Sequence, residues 1–166
     1  ADLTIFTTNI NKNIPTSPNA EFKHLLTFRP GEGGLAWING VSNGYTTSPS
    51  IPLYYACAVS SITSNPTNSN TTYSWPVYVF THEMGHNLGS RHTQYCGWRD
   101  DNGNLIGRLD SCYFGEETSA APNCSPTSTT ITRSNTKGAI MSYCHINGSV
   151  SFLTGFGKYS RFAIRS

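Results

Sequence analysis

His82, Glu83, His86, Gly89 and His92 are the residues of this chain whose types and spacing can do chemistry. Side chains four apart on a helix stand on one face about a turn from each other, so His82 and His86 can grip one metal ion from a single helix. Glu83, beside the first of them, can reach a water in the open coordination position without occupying that position itself. A straight helix would carry residue 92 roughly 9 Å of rise beyond residue 86. Gly89 is therefore where the helix must break, letting the chain turn His92 back toward the metal. Three neutral imidazoles leave a zinc ion its double positive charge and one exchangeable position, the donor set of a catalytic site and not of a structural one. The expected reaction is hydrolysis: Glu83 takes a proton from the zinc-bound water, hydroxide attacks a polarised peptide carbonyl, and Glu83 returns the proton to the leaving amine. A bare His-Glu-x-x-His on a helix also arises as an accidental surface cluster, and it is Gly89 and His92 at their offsets that make the pattern specific.

The elements that must position these residues follow from pattern. Pro76 suits a first helical turn, with Ser74 or Trp75 as its cap. At about 100° per residue, Val77, Phe80, Met84 and Leu88 cluster on one side while His82, Glu83 and His86 fall nearly opposite. The spacing thus predicts a helix that buries its apolar side and shows its histidine side to a cleft. Upstream, Asp2 to Thr8 alternates like a short strand, 9–19 reads as loop, and His24 to Phe28 is a second strand. Gly33 to Gly40 reads as a strand entered through glycines and left by an Asn-Gly turn, and Leu53 to Ile62 is apolar and β-prone. Downstream, Thr93 to Lys137 has no sustained period, with turns at Asp101-Asn102-Gly103 and at 122–126. Gly138 to Cys144 is compact, and Ser151 to Ile164 makes a terminal helix weakened by Gly155 and Gly157. His24 and His145 read as structural, three protein ligands being enough for catalysis.

The chain has 166 residues, which by length is one domain, 1–166. Its formal net charge of +2 with 12% charged residues and no Lys or Arg run excludes a nucleic-acid partner. No apolar run is long enough to span a membrane. Five cysteines without a C-x-x-C pair point to disulfides, an oxidising compartment and hence a secreted protein. Of the three pairings that four cysteines allow, the expected one joins Cys96 to Cys144 and Cys112 to Cys124. Cys57 is then left over, as a buried small hydrophobe or joined to something outside this chain.

The stretch His82 to His92 resembles the long zinc signature of the metzincin metallopeptidases. Ala139-Ile140-Met141-Ser142-Tyr143 resembles the methionine turn that these enzymes carry beneath the metal. Phe80 to Gly89, Ile140-Met141-Ser142 and Gly155-Phe156-Gly157 are most similar to the reprolysin or adamalysin group, including its bacterial relatives. The resemblance implies an α+β fold, with a small mixed sheet and helices above the cleft and an irregular, disulfide-stapled part below. It further implies a zinc endopeptidase acting on protein or peptide substrate, with metal ligands His82, His86 and His92, Glu83 as catalytic base and Met141 packed under the histidines. Gly34-Leu35-Ala36-Trp37 takes the place of the edge strand that pairs antiparallel with extended substrate. Tyr143 resembles the tyrosine that in astacins and serralysins moves on and off the metal. Thr93 departs from the pattern, for reprolysins usually place an aspartate after the third histidine. These domains also usually have more chain before the zinc helix than the 81 residues here. The expectation is therefore either a missing N-terminal part of the sheet, cut away or carried elsewhere, or a compact metzincin. Calcium has no motif, because Asp100 to Gly103 is too short and lacks the later glutamate of an EF-hand loop. Two other readings are a zinc-containing binding or toxin module without activity, which the intact Glu83 argues against, and a zinc hydrolase of non-peptide amides.

Overall fold

The computed structural model describes residues 3–13, 22–29, 33–43, 45–46, 53–62, 74–113, 137–146 and 150–165. The chain folds as two units, 1–90 and 91–166. In the first, α1 (Leu3–Asn13) is followed by β1 (Lys23–Thr27), β2 (Gly34–Ala36), the short α2 (Gly40–Asn43), β3 (Tyr45–Thr46), β4 (Leu53–Tyr54), β5 (Cys57–Ser61) and α3 (Trp75–Asn87). The sheet is mixed, in the order β1-β5-β2: β1 runs parallel to β5 with Lys23 opposite Cys57, and β2 runs antiparallel to β5 with Gly34 opposite Ser60. β5 is central and buried along its whole length, as its Cys-Ala-Val-Ser-Ser sequence of small residues allows. β2 is an edge strand, as expected.

The first residues form a helix and not the expected strand. Leu3 and Thr7 are buried and Phe6 packs on the core of Leu3, Cys57 and Val59, while Ile5 is 60% exposed. That is a helical face of spacing three and four, which a seven-residue segment cannot distinguish from alternation. The hydroxyls of Thr7 and Thr8 donate to the carbonyls four residues back, at 2.7 and 2.8 Å, so these β-branched residues satisfy themselves within the helix.

α3 packs against β5 and β2 and is tied to β5 at both ends. Trp75 Nε1 donates to the Ser61 carbonyl at 3.0 Å, and Asn87 Nδ2 donates to the Cys57 carbonyl at 2.9 Å. The expected orientation of this helix is corrected: Val77 is 52% exposed, whereas Tyr78, Val79, His82, Glu83, His86 and Asn87 are buried. The histidine face, not the apolar stripe, is covered, because Glu83 lies against Gly34 of β2 and Asn87 reaches over the start of β5. After Asn87 the chain reverses through Gly89 at φ 103, where the Gly89 N–H donates to the His86 carbonyl and the Ser90 N–H to the Gly85 carbonyl, both at 2.9 Å. The glycine stop read from the sequence is realised as a left-handed cap.

In the second unit the residues from 91 to 113 run mainly as turns, with Arg99 bridged to Leu105. The expected turn at 101–103 is present. Asp100 organises it, Oδ1 accepting from the Asn102 and Asn104 N–H groups at 2.9 and 2.8 Å, and the bond from the Asn104 side chain is the largest cause holding its carboxyl below the usual range. The turn expected at 122–126 lies outside the described residues. Phe152–Thr154 forms one 3-10 turn, and α4 (Lys158–Arg165) follows. Gly155 at φ 57 and Gly157 at φ 75 separate the two, which is why the terminal helix starts later than its pattern. No described helix is long and apolar enough to cross a membrane.

The expected disulfides are also corrected. Cys112 is bonded to Cys144, with their Cα atoms 4.9 Å apart. Cys96 is disulfide-bonded too, to a partner outside the described residues. Cys57 is a free, fully buried thiol on β5, pushed up to about 11 by burial with a smaller opposing effect of Lys23.

Candidate metal centre

α3 carries His82 and His86 one turn apart, their rings 4.9 Å between centroids and nearly perpendicular. Ring nitrogens of His82, His86 and His92, one from each, lie within 4.8 Å of one another. Nitrogens bound to one tetrahedral zinc stand roughly 3.4 Å apart, given bonds of about 2.0–2.1 Å, so a group this close could hold one ion. His86 is already oriented for it. Its Nδ1 lies 2.8 Å from the Ser90 carbonyl. A carbonyl only accepts, so Nδ1 carries the proton and Nε2 keeps its lone pair for a metal. The tight reversal at Gly89 supplies that carbonyl, so the glycine both ends the helix and helps set the tautomer of His86. Three imidazoles suit zinc, and this donor set fits it.

Glu83 is 4% exposed, and burial pushes its carboxyl up to about 8. It lies against Gly34 of β2. A Cβ placed on Gly34 would stand 2.5 Å from Glu83 Cγ and 2.6 Å from Cδ, far inside van der Waals contact. The other edge-strand residues differ in kind. Leu35 is 47% exposed, Ala36 is half-buried, and Trp37 packs on the Leu3, Cys57 and Val59 core with its ring 5.5 Å from that of Tyr55. The strand that the sequence read from Gly33 to Gly40 spans only Gly34–Ala36, so Trp37 lies just beyond it.

In the second unit, the His92 ring stands 4.6 Å from the Tyr143 ring at 62°, and Tyr143 in turn contacts the rings of Tyr113 at 5.2 Å and His145 at 5.6 Å. Burial is the main cause lowering the pKa of His145. The His92 carbonyl accepts from Trp98 Nε1 at 2.9 Å. Met141 is fully buried in a turn closed by the bond from the Ser142 N–H to the Ala139 carbonyl, and its own carbonyl accepts the Thr93 N–H at 3.0 Å. Asp110, which no periodicity marks out, is 2% exposed and accepts a bond from the Thr93 hydroxyl. A second group of metal-ligating types, Asp110, Cys112 and Cys144, is already committed, since both sulfurs are in the disulfide.

Comparison with curated proteins finds no match. The model of the reprolysin-like metallopeptidases of family M12B matches residues 7–165, nearly the whole chain. With His82, His86 and His92 gathered as that family's zinc chemistry demands, the chain belongs to the M12B reprolysin-like metallopeptidases.

Proposed function

We propose that residues 1–166 are the catalytic domain of a secreted zinc endopeptidase in which Glu83 is the general base and general acid. The observation that carries this reading is the placement of Glu83, buried and directly after His82 in the gathered histidine group. A carboxyl so placed can accept a proton from water and give it back to a leaving group. Zinc held by His82, His86 and His92 would supply a Lewis acid that polarises the scissile carbonyl and acidifies water.

The chain's own groups do the rest. Glu83 draws a proton from the attacking water and delivers it to the departing amine. The free side of β2, Gly34 to Ala36, bonds to extended substrate through main-chain groups, and Trp37 fixes the end of that strand by packing in the core. Tyr143, against His92, donates its hydroxyl to the oxygen that becomes negative as the carbonyl is attacked. Met141 supports the histidines from below. The disulfides suit an oxidising, extracellular setting.

Glu83→Ala decides the assignment of the base. The variant should retain zinc, measured by metal analysis of the purified protein, while its casein cleavage falls on the order of 10³-fold or more. Cleavage at the wild-type rate would remove Glu83 from the mechanism.

A further inference from the structure

Thr93 stands directly after the third histidine, and all its polar groups are engaged within residues 91–166. Its N–H donates to the Met141 carbonyl at 3.0 Å, and its carbonyl accepts the Leu109 N–H at 2.7 Å. Its hydroxyl donates to Asp110 Oδ2, with the Met141 carbonyl farther away at 3.4 Å. A hydroxyl has one proton, and the carboxylate is the stronger acceptor, so the bond to Asp110 takes it. The other carboxylate oxygen accepts the Cys112 N–H at 3.1 Å. Cys112 is bridged to Cys144, whose N–H donates to Ser142 Oγ at 3.0 Å, one residue past Met141. The path that leaves His92 through Thr93 thus returns to the methionine turn by two routes, one through the backbone and one through Asp110 and the disulfide.

We propose that Asp110 is a positioning residue of the metal centre, acting through Thr93 to hold the backbone that presents His92 against the methionine turn. This rests on His92 being a zinc ligand. Burying a carboxylate is costly unless it is hydrogen-bonded, and Asp110 is 2% exposed with a partner on each oxygen. It also lines a cavity of about 190 Å³ with Lys137 and Phe156, and each of its oxygens already accepts a bond from the chain. The carboxylate that the resemblance places at position 93 is here supplied from position 110, across a hydroxyl. Bonds one step behind a ligand typically change metal affinity 10–100-fold.

The test is zinc affinity by chelator competition, together with the visible spectrum of the cobalt-substituted protein, on wild type, Asp110→Ala, Asp110→Asn, Thr93→Asp and the exchange pair Thr93→Asp with Asp110→Thr. Asp110→Ala should bind zinc on the order of 10- to 100-fold more weakly and alter the cobalt spectrum, because it strips the Thr93 hydroxyl of its acceptor. Asp110→Asn, which keeps one oxygen acceptor, should lose less. Thr93→Asp alone sets two buried carboxylates against each other and should lose at least as much as Asp110→Ala, and adding Asp110→Thr should recover most of the affinity. A residue that only stabilises the fold would lower Tm and leave zinc affinity and the cobalt spectrum of the folded variants unchanged, and that result overturns the proposal. Should Asp110→Ala not fold, Asp110→Asn decides it: affinity within twofold of wild type with an unchanged spectrum overturns the proposal. A wild-type chain that takes up no zinc overturns the metal reading as well, whereas zinc-binding wild type with equal variants overturns only the role of Asp110.

Discussion

Gly34 and Glu83 meet so closely that no side chain fits at position 34 without moving the carboxyl, with Glu83 Cγ and Cδ at 2.5 and 2.6 Å from where a Cβ would stand. A displaced base works poorly, since a shift of about 1 Å can cost on the order of 10²-fold in rate. Gly34→Ala should therefore lower kcat by roughly that factor while zinc content stays near one per chain. Steady-state kinetics with metal analysis checks this, and an unchanged kcat would mean the carboxyl moves aside at no cost. Shortening the base in the same background, as Glu83→Asp, should cost less than it does alone, because the two changes relieve one clash. At this scale the gathering of His82, His86 and His92 was legible from spacing, because a helix fixes which offsets share a face and a glycine fixes where that face ends. The Gly34 contact and the Thr93 to Asp110 bond were not. Each joins segments far apart in the chain, and nothing local in a lone Gly or Asp says what it will touch.

At the scale of elements, β1 is joined to α3 by a side chain that reads as ordinary in the sequence. His24 stacks on Phe80 with centroids 4.4 Å apart at 20°, and its Nε2 pairs with Ser60 Oγ at 2.7 Å. Burial depresses its pKa from 6.5 to about 4. The folded chain thus resists a proton that the unfolded chain accepts, so stability is full above about pH 6.5 and is lost as pH falls through the interval down to about 4. Urea unfolding midpoints at pH 7.5 and pH 5 should differ more for the wild type than for His24→Gln, which has nothing to titrate there. Equal pH dependence in the two proteins would show that His24 takes no part. The same packing explains why the face of α3 was misjudged. Apolar periodicity says which side would gain most from burial, yet the sheet edge sits over the polar side, where Glu83 lies against Gly34 and Asn87 bonds to the Cys57 carbonyl. The glycine break at 89 was legible because positive φ is a local demand, whereas Gly155 and Gly157 were read only as weakening a helix that in fact begins after them.

For the molecule as a whole, the irregular second unit must be held by something other than regular elements. The only disulfide with both ends among the described residues joins Cys112 to Cys144 across 32 positions. Closing a loop of that length removes chain entropy from the unfolded state worth about 3–4 kcal/mol. The exposed ion pair between Lys158 and Asp101, 2.7 Å long, is no substitute, because solvent screens both partners. The pairing itself could not be read from cysteine order, since four cysteines permit three connectivities and only the fold brings two Cα atoms to 4.9 Å. The disulfide also carries the amide that bonds Asp110, so its loss should be felt at the metal site as well as in the melt. Replacing Cys112 and Cys144 together by Ser should lower unfolding stability in urea by about 3–4 kcal/mol. It should also weaken zinc binding in the protein that remains folded. A fall of less than about 1 kcal/mol with unchanged zinc affinity would mean that 91–166 is held by its turns and buried side chains alone.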